Sequence, residues 1–238
     1  MQITAVVLAG GRGTRIADLY PGIPKPMVPV CGQPFLHWVT RWLVEQDVTD
    51  IIYSTGYRAD QIMRWAEDNR HRWNATLRCV AEAEPLGTGG GVLQSLDLCA
   101  GHVLVVNGDS LTPVGLGPLI GKASGSDGAL LGVKVDDAAR YGTLRLDRDG
   151  RLLEFAEKRP GAGIINAGVY LLSRSLLEPF PKGRKISMEE ELLPGLIAQG
   201  ARLVCEVAET APFLDIGTPQ SVAQAEGFIH AHMGLSGL

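Results

Sequence analysis

The stretch LAGGRGTRI, from Leu8 to Ile16, follows the apolar run ITAVV and places three glycines and two arginines within nine residues. A turn without Cβ atoms lets phosphate oxygens approach backbone N–H groups. Arg12 and Arg15 add charged donors in planar forks, and the chemistry that suits this loop is polyphosphate binding. Spacing excludes two familiar alternatives. A dinucleotide fingerprint counted from Gly11 and Gly13 needs a glycine or alanine where Ile16 stands, and a Walker loop needs Gly-Lys-Ser/Thr, which is absent. In PGIPKPMVPV, prolines 21, 24, 26 and 29 stiffen an extended segment around Lys25 and present its ammonium with little backbone freedom. Two carboxylates complete the set. Asp109 follows the run HVLVVN, and Asp215 sits in FLDIGTP ahead of a capped helix; each alone also reads as a turn or structural aspartate.

These residues need a scaffold that brings strand ends together. Apolar β-rich runs recur at 3–8, 50–54, 76–81 and 102–107, separated by helical periods at 35–46, 59–69 and 90–99. That rhythm predicts an α/β fold with a Rossmann-like, mostly parallel sheet and helices on both faces. Ligands of such sheets lie beyond the carboxyl ends of the strands, where the glycine loop and Asp109 fall. From residue 128 the strand runs 128–135, 142–147, 151–158 and 164–173 have short connections, which predicts a smaller antiparallel part. Ser187 and Glu190 fit a capping box, and Thr218-Pro219 an N-cap with proline at the first helical position. With no repeat or linker, residues 1–238 read as one domain.

Composition removes other classes. The formal charge of −4 argues against a nucleic-acid partner, and no run of about 18 apolar residues points to a membrane. Cys31, Cys79, Cys99 and Cys205 show no CxxC or metal-finger spacing and read as buried or incidental thiols, and the five histidines form no HExxH pattern. With no basic n-region or cleavage site after Met1, a cytoplasmic location is the expectation. Trp38 and Trp42 are expected in the core, and the oligomeric state, a homo-oligomer included, stays open.

LAGGRGTRI and PKPM, with PLGTGG (85–90), NGDS (107–110), the Tyr141-Gly142 pair, FAEK (155–158), INAGVYLL (165–172) and FLDIGTP (213–219), resemble in content and order the sugar-phosphate nucleotidyltransferases. The resemblance implies attack of a sugar 1-phosphate on the α-phosphorus of an NTP, in a domain whose residues 1–127 serve mainly the nucleotide and 128–238 mainly the sugar phosphate. It implies catalytic roles for Arg15, Lys25 and Asp109, and Mg²⁺ held by Asp109 and Asp215. Nucleotide binding falls to Leu8, Ala9, Gly10, Gly11, Gly13 and Thr14, then to Glu82, Glu84, Gly87, Thr88 and Gly108. Sugar-phosphate binding falls to Gly142, Glu157, Lys158 and Asn166. A carboxylate at Glu82 or Glu84 can accept from guanine N1–H and N2–H₂ together, which favours GTP over UTP or dTTP. Among such enzymes the chain looks most like those acting on D-glycero-D-manno-heptose or mannose 1-phosphate in capsule or lipopolysaccharide synthesis, without a C-terminal β-helix. A silent nucleotide-sugar-binding regulatory subunit is the reading of another class.

Overall fold

The computed structural model describes residues 1–156 and 160–234, and strand and helix alternate along it as the apolar periodicity predicts. The first half runs β1 (Ile3–Ala9), β2 (Pro29–Val30), β3 (Gln33–Pro34), α1 (Phe35–Glu45), β4 (Asp50–Thr55), α2 (Ala59–Asn69), β5 (Thr76–Ala81), α3 (Gly87–Ser95), β6 (His102–Asn107), β7 (Ser110–Leu111) and α4 (Gly117–Ala123). The second runs β8 (Gly128–Val135), β9 (Thr143–Leu146), β10 (Leu152–Ala156), β11 (Gly163–Ser173), α5 (Arg174–Leu177), α6 (Leu193–Ala198), β12 (Leu203–Ala208), β13 (Leu214–Asp215) and α7 (Pro219–His232).

Strands β5, β4, β1 and β6 pair in parallel. β11 then adds antiparallel to β6, β8 antiparallel to β11, and β12 parallel to β8. The hairpin β9–β10 joins the first half of β11 at Thr143↔Ile165. The antiparallel part is thus continuous with the parallel one in a single nine-stranded sheet. Alternate strand residues fill two cores. Ala5, Val7, Ile51, Tyr53, Leu104 and Val106 pack with Trp38, Trp42, Trp65 and Val222 on one face. Val6, Ile52 and Val105 pack with Leu93, Leu177 and Leu196 on the other. This two-sided burial explains the unbroken apolar runs of β1, β4 and β6. The buried indoles of Trp38 and Trp42 donate to the carbonyls of Val30 and Val114 at 3.0 and 2.9 Å. Burial also pushes the thiols of Cys79 and Cys99 up to about 11 and that of Cys205 to about 12, the behaviour of packed, unreactive sulfur.

Three local expectations change. The stretch around Lys25 is not extended throughout: Lys25–Met27 forms one 3₁₀ turn, closed by the Met27 N–H on the Pro24 carbonyl at 2.8 Å. α3 starts at Gly87 rather than at residue 90, although glycine disfavours helix: the Gly89 and Gly90 N–H groups donate to the Ile186 carbonyl at 2.9 and 3.1 Å, an approach that a Cβ at Gly87 or Gly90 would block by meeting the Ile186 or Arg184 carbonyl at 2.7 and 2.5 Å. The capping box at Ser187 is completed by a different residue. Ser187 Oγ accepts from the Glu190 N–H at 3.2 Å, but the return bond to the Ser187 N–H comes from Glu191 at 3.0 Å, since Met188–Leu192 winds as a wider π-turn ahead of Pro194.

β11 slips register with β8 between Asn166 and Tyr170, and the bulge turns on Gly168 at φ +72°. A Cβ there would collide with the Asn107 side chain. Gly168→Ala therefore combines left-handed strain with a clash, and calorimetry should record a loss of about 1–3 kcal/mol in unfolding free energy. A second expectation concerns acid. His37 is buried on α1 against Trp38 and Trp73, with ring centroids 5.0 Å from each. Burial first, then the charges of Arg72 and Arg41, lower its pKa from 6.5 to about 4. The unfolded chain therefore binds more protons between these values, so stability is complete above pH 6.5 and falls as pH drops toward 4. Thermal melts of the wild type across this window should show that slope, and His37→Gln should flatten it.

Candidate active site

The carboxyl ends of β1, β4 and β6 form the floor of the site, as open parallel sheets require. After β1 the chain passes through the glycine loop into a 3₁₀ turn at Thr14–Ile16, anchored by buried Ile16. Gly13 starts that turn at φ +63°, and a Cβ there would stand 2.9 Å from Lys25 Cβ. The absence of a side chain at Gly13 therefore lets the loop lie against the lysine. Gly108, after β6, donates its N–H to the Leu8 carbonyl at 3.0 Å, so the turn carrying Asp109 is fixed to the strand carrying the glycine loop.

The two aspartates, far apart in sequence, meet through a two-residue ribbon. Asp215 on β13 pairs with Ser110 on β7, and the Ile216 N–H donates to the Asp109 carbonyl at 3.0 Å. Lys25 Nζ lies 2.5 Å from Asp109 Oδ2 and 3.6 Å from Asp215 Oδ1. Its side chain is 8% exposed, against 36% and 26% for the carboxylates. A buried ammonium thus offsets two carboxylates whose outer faces stay open. Gly217 closes the cluster. Its N–H donates to Asp215 Oδ1, and a Cβ on it would stand 3.1 Å from Lys25 Nζ and 3.2 Å from Arg15 Nη2. Arg15, itself exposed, reaches the cluster from the rim.

Two clefts flank Asp109. One of about 610 Å³ is lined by Leu8, Gly10, Gly11, Arg12, Lys25, Glu82, Glu84, Gly87 and Thr88, with Ser54, Tyr57 and Lys185. The other, of about 980 Å³, is lined by Tyr141, Gly142, Asn166, Glu189, Glu190, Phe213 and Asp215, with an apolar wall that includes Leu153, Phe155 and Ile197. Asn107 and Asp109 belong to both, so one carboxylate stands where the contents of the two clefts would meet.

Of the residues singled out in the sequence, Ala9 is buried beneath the loop, while Gly13, Thr14, Arg15 and Gly108 support or rim the first cleft rather than line it. Glu82 and Glu84 differ in environment. Glu82 accepts from the Leu86 N–H at 2.9 Å and the Ser54 hydroxyl at 3.3 Å and thereby shapes its own loop, whereas Glu84 is exposed on the cleft. Glu157 and Lys158 lie outside the described residues. Sequence reasoning missed Lys185 and Glu189. The triple glycine of α3 was the available signal, because a helix bare on one side implies a close backbone neighbour, here Arg184–Ile186.

The donor chemistry fits Mg²⁺. The two hard carboxylates that flank the Lys25 ammonium, Asp109 and Asp215, both line the larger cleft. Mg²⁺ commonly takes one or two carboxylates and completes its shell with phosphate and water.

Fold and site together define an α/β protein with two clefts that share Asn107 and Asp109 at the carboxyl edge of the sheet, and similarity to known proteins gives the class its name. A family model described as nucleotidyl transferase matches residues 4–232, and the chain belongs to that family. It is 32% identical over 217 residues to the D-glycero-alpha-D-manno-heptose 1-phosphate guanylyltransferase of Campylobacter jejuni, covering 91% of this chain and 95% of that one. It is also 32% identical over 224 residues to the mannose-1-phosphate guanylyltransferase of Mycobacterium tuberculosis, where it spans only 62% of the relative's length. The crystal structure of HddC from Yersinia pseudotuberculosis complexed with GMP-PN superposes with a TM-score of 0.86 at 36% identity, covering 95% of this chain and 99% of that one. The particular class is sugar-1-phosphate nucleotidyltransferase. Among the described residues no helix is long and apolar enough to cross a membrane.

Gly217→Ala tests the packing of the charged cluster. The added methyl must displace Asp215, Lys25 or Arg15, and a shift of about 1 Å should lower kcat/KM roughly a hundredfold with circular dichroism unchanged.

Proposed function

We propose that this nucleotidyltransferase moves GMP from GTP to D-glycero-α-D-manno-heptose 1-phosphate, releasing pyrophosphate and supplying a GDP-sugar for capsule or lipopolysaccharide synthesis. The observation that carries the reading is the pair of clefts that share Asn107 and Asp109. The smaller, roofed by the glycine loop, takes the triphosphate, and the larger takes the sugar phosphate.

An oxygen of the acceptor phosphate forms a bond to the α-phosphorus, the bond from that phosphorus to the bridging oxygen breaks, and pyrophosphate leaves with the electron pair. Two anions must be aligned in line, so neutralisation and orientation supply most of the acceleration. The N–H groups of Gly11 to Thr14 cradle the triphosphate, and Arg15 stabilises the leaving pyrophosphate. Lys25, 2.5 Å from Asp109, presents its ammonium to the α-phosphate as charge builds there. Asp109 and Asp215 fit Mg²⁺, whose charge when bound offsets that of the converging phosphates. Gly142 and Asn166 frame the sugar.

Guanine is supported by the exposed carboxylate of Glu84 and by the GMP-PN complex of the Yersinia relative. Heptose is supported by the Campylobacter heptose 1-phosphate guanylyltransferase, matched over 95% of its length. Mannose 1-phosphate is the second reading, favoured by the Mycobacterium relative. The convergence of Lys25, Asp109, Asp215 and Arg15 speaks against a silent subunit. A cytoplasmic setting is supported by four free cysteines.

Pyrophosphate release with four NTPs against heptose, mannose and N-acetylmuramate 1-phosphates is the test. GTP with the heptose should be fastest, EDTA should stop it, and Asp109→Asn or Asp215→Asn should each lower kcat by about 10²–10³. Preference for UTP contradicts the guanine assignment, and near-normal rates in both variants contradict the metal assignment.

A further inference from the structure

A line of hydrogen bonds joins the two clefts from within. Thr88 Oγ1, in the first turn of α3, accepts from the Met188 N–H at 2.8 Å and donates to Glu189 Oε2 at 3.4 Å. Glu189 Oε1 accepts from the Tyr170 hydroxyl at 2.7 Å, and the Tyr170 oxygen accepts from Asn166 Nδ2 at 2.6 Å. Asn166 Oδ1 accepts from the Gly168 N–H at 3.0 Å. Thr88 lines the nucleotide cleft, and Glu189 and Asn166 line the acceptor cleft.

The direction of this line follows from its one charged member. An ionised carboxylate only accepts, so the Tyr170 proton must point at Glu189. Tyr170 is fully buried, and burial first, then the Glu189 charge, pushes its hydroxyl well above the ordinary tyrosine range, keeping that proton in place. With its proton committed, the Tyr170 oxygen accepts from Asn166. The Asn166 amide is pinned at its oxygen by Gly168 and at one hydrogen by Tyr170, which leaves the second Nδ2 hydrogen uncommitted among the described residues.

We propose that Glu189 is a positioning residue of the acceptor cleft: through Tyr170 it fixes the Asn166 amide so that an N–H donor is offered to a hydroxyl oxygen of the sugar phosphate. The inference rests on the reading of the larger cleft as the acceptor site. A neutral amide at position 189 can donate as well as accept, which removes the imposed direction; the Tyr170 oxygen is then no longer a committed acceptor, and the Asn166 amide is held only at its oxygen by the Gly168 N–H.

Titration calorimetry on the full chain separates these roles, with heptose and mannose 1-phosphates as acceptor probes and a non-hydrolysable GTP analogue as the nucleotide probe. Glu189→Gln should weaken acceptor binding about tenfold while changing nucleotide affinity by less than about twofold. In turnover the loss should appear in the acceptor KM rather than in the GTP KM. Tyr170→Phe, which cuts the line at its buried link, should give the same pattern and serves if the first variant fails to fold. Unchanged acceptor affinity in a folded Glu189→Gln protein, or equal weakening of both ligands, overturns the role of Glu189. Wild-type protein that binds the nucleotide analogue but neither sugar phosphate overturns the acceptor reading itself, and the proposal with it.

Discussion

The site depends on one buried ammonium held between two carboxylates. Without Lys25, Asp109 and Asp215 would face each other across a two-residue ribbon with their charges uncompensated, a costly arrangement in a partly buried setting. With it, the cluster is set before any ligand arrives, and its open side faces the larger cleft. The geometry is reinforced by absences: no Cβ at Gly13, where the loop crosses Lys25, and none at Gly217, where the chain turns under Arg15. Electrostatic preorganisation of this kind lowers the reorganisation needed when charge develops.

The rest of the fold brings these groups from distant parts of the chain to one sheet edge. β1 leads into the glycine loop, β6 supplies Asn107 and the turn to Asp109, and β13 returns Asp215 from the far end of the sequence. The glycine face of α3 admits Arg184–Ile186 so closely that the Gly89 and Gly90 N–H groups both donate to the Ile186 carbonyl, at 2.9 and 3.1 Å. That contact carries Lys185 to the smaller cleft and Glu189 to the larger. One tertiary approach thus furnishes a wall to each.

Much of this was legible in the sequence because it is written in short-range patterns. The unbroken apolar runs of β1, β4 and β6 announce strands covered on both faces, and the glycine loop, Lys25 and Asp109 named from the sequence do meet at one edge of the sheet. What stayed hidden depends on partners distant in sequence. Gly87–Gly91 disfavours helix by local propensity and is helical because another backbone lies on it. The contrast between Glu82 and Glu84 depends on Ser54 and Leu86, one of them a strand away. Glu189 sits in an acidic run that reads as a solvated helix start, and only Tyr170 and Thr88 distinguish it.

β11 has a consequence for how the chain is made. It closes the free side of β6, pairing Val169 with Val106, and it also holds β8 and the first residues of the β9 hairpin. On a ribosome, β6 emerges long before β11 does. For that interval the parallel half exposes an apolar, unpaired edge, the kind of surface on which nascent chains associate wrongly or recruit a chaperone. Completion of the sheet is therefore a late event in synthesis, and truncation before β11 leaves a sticky fragment instead of half an enzyme.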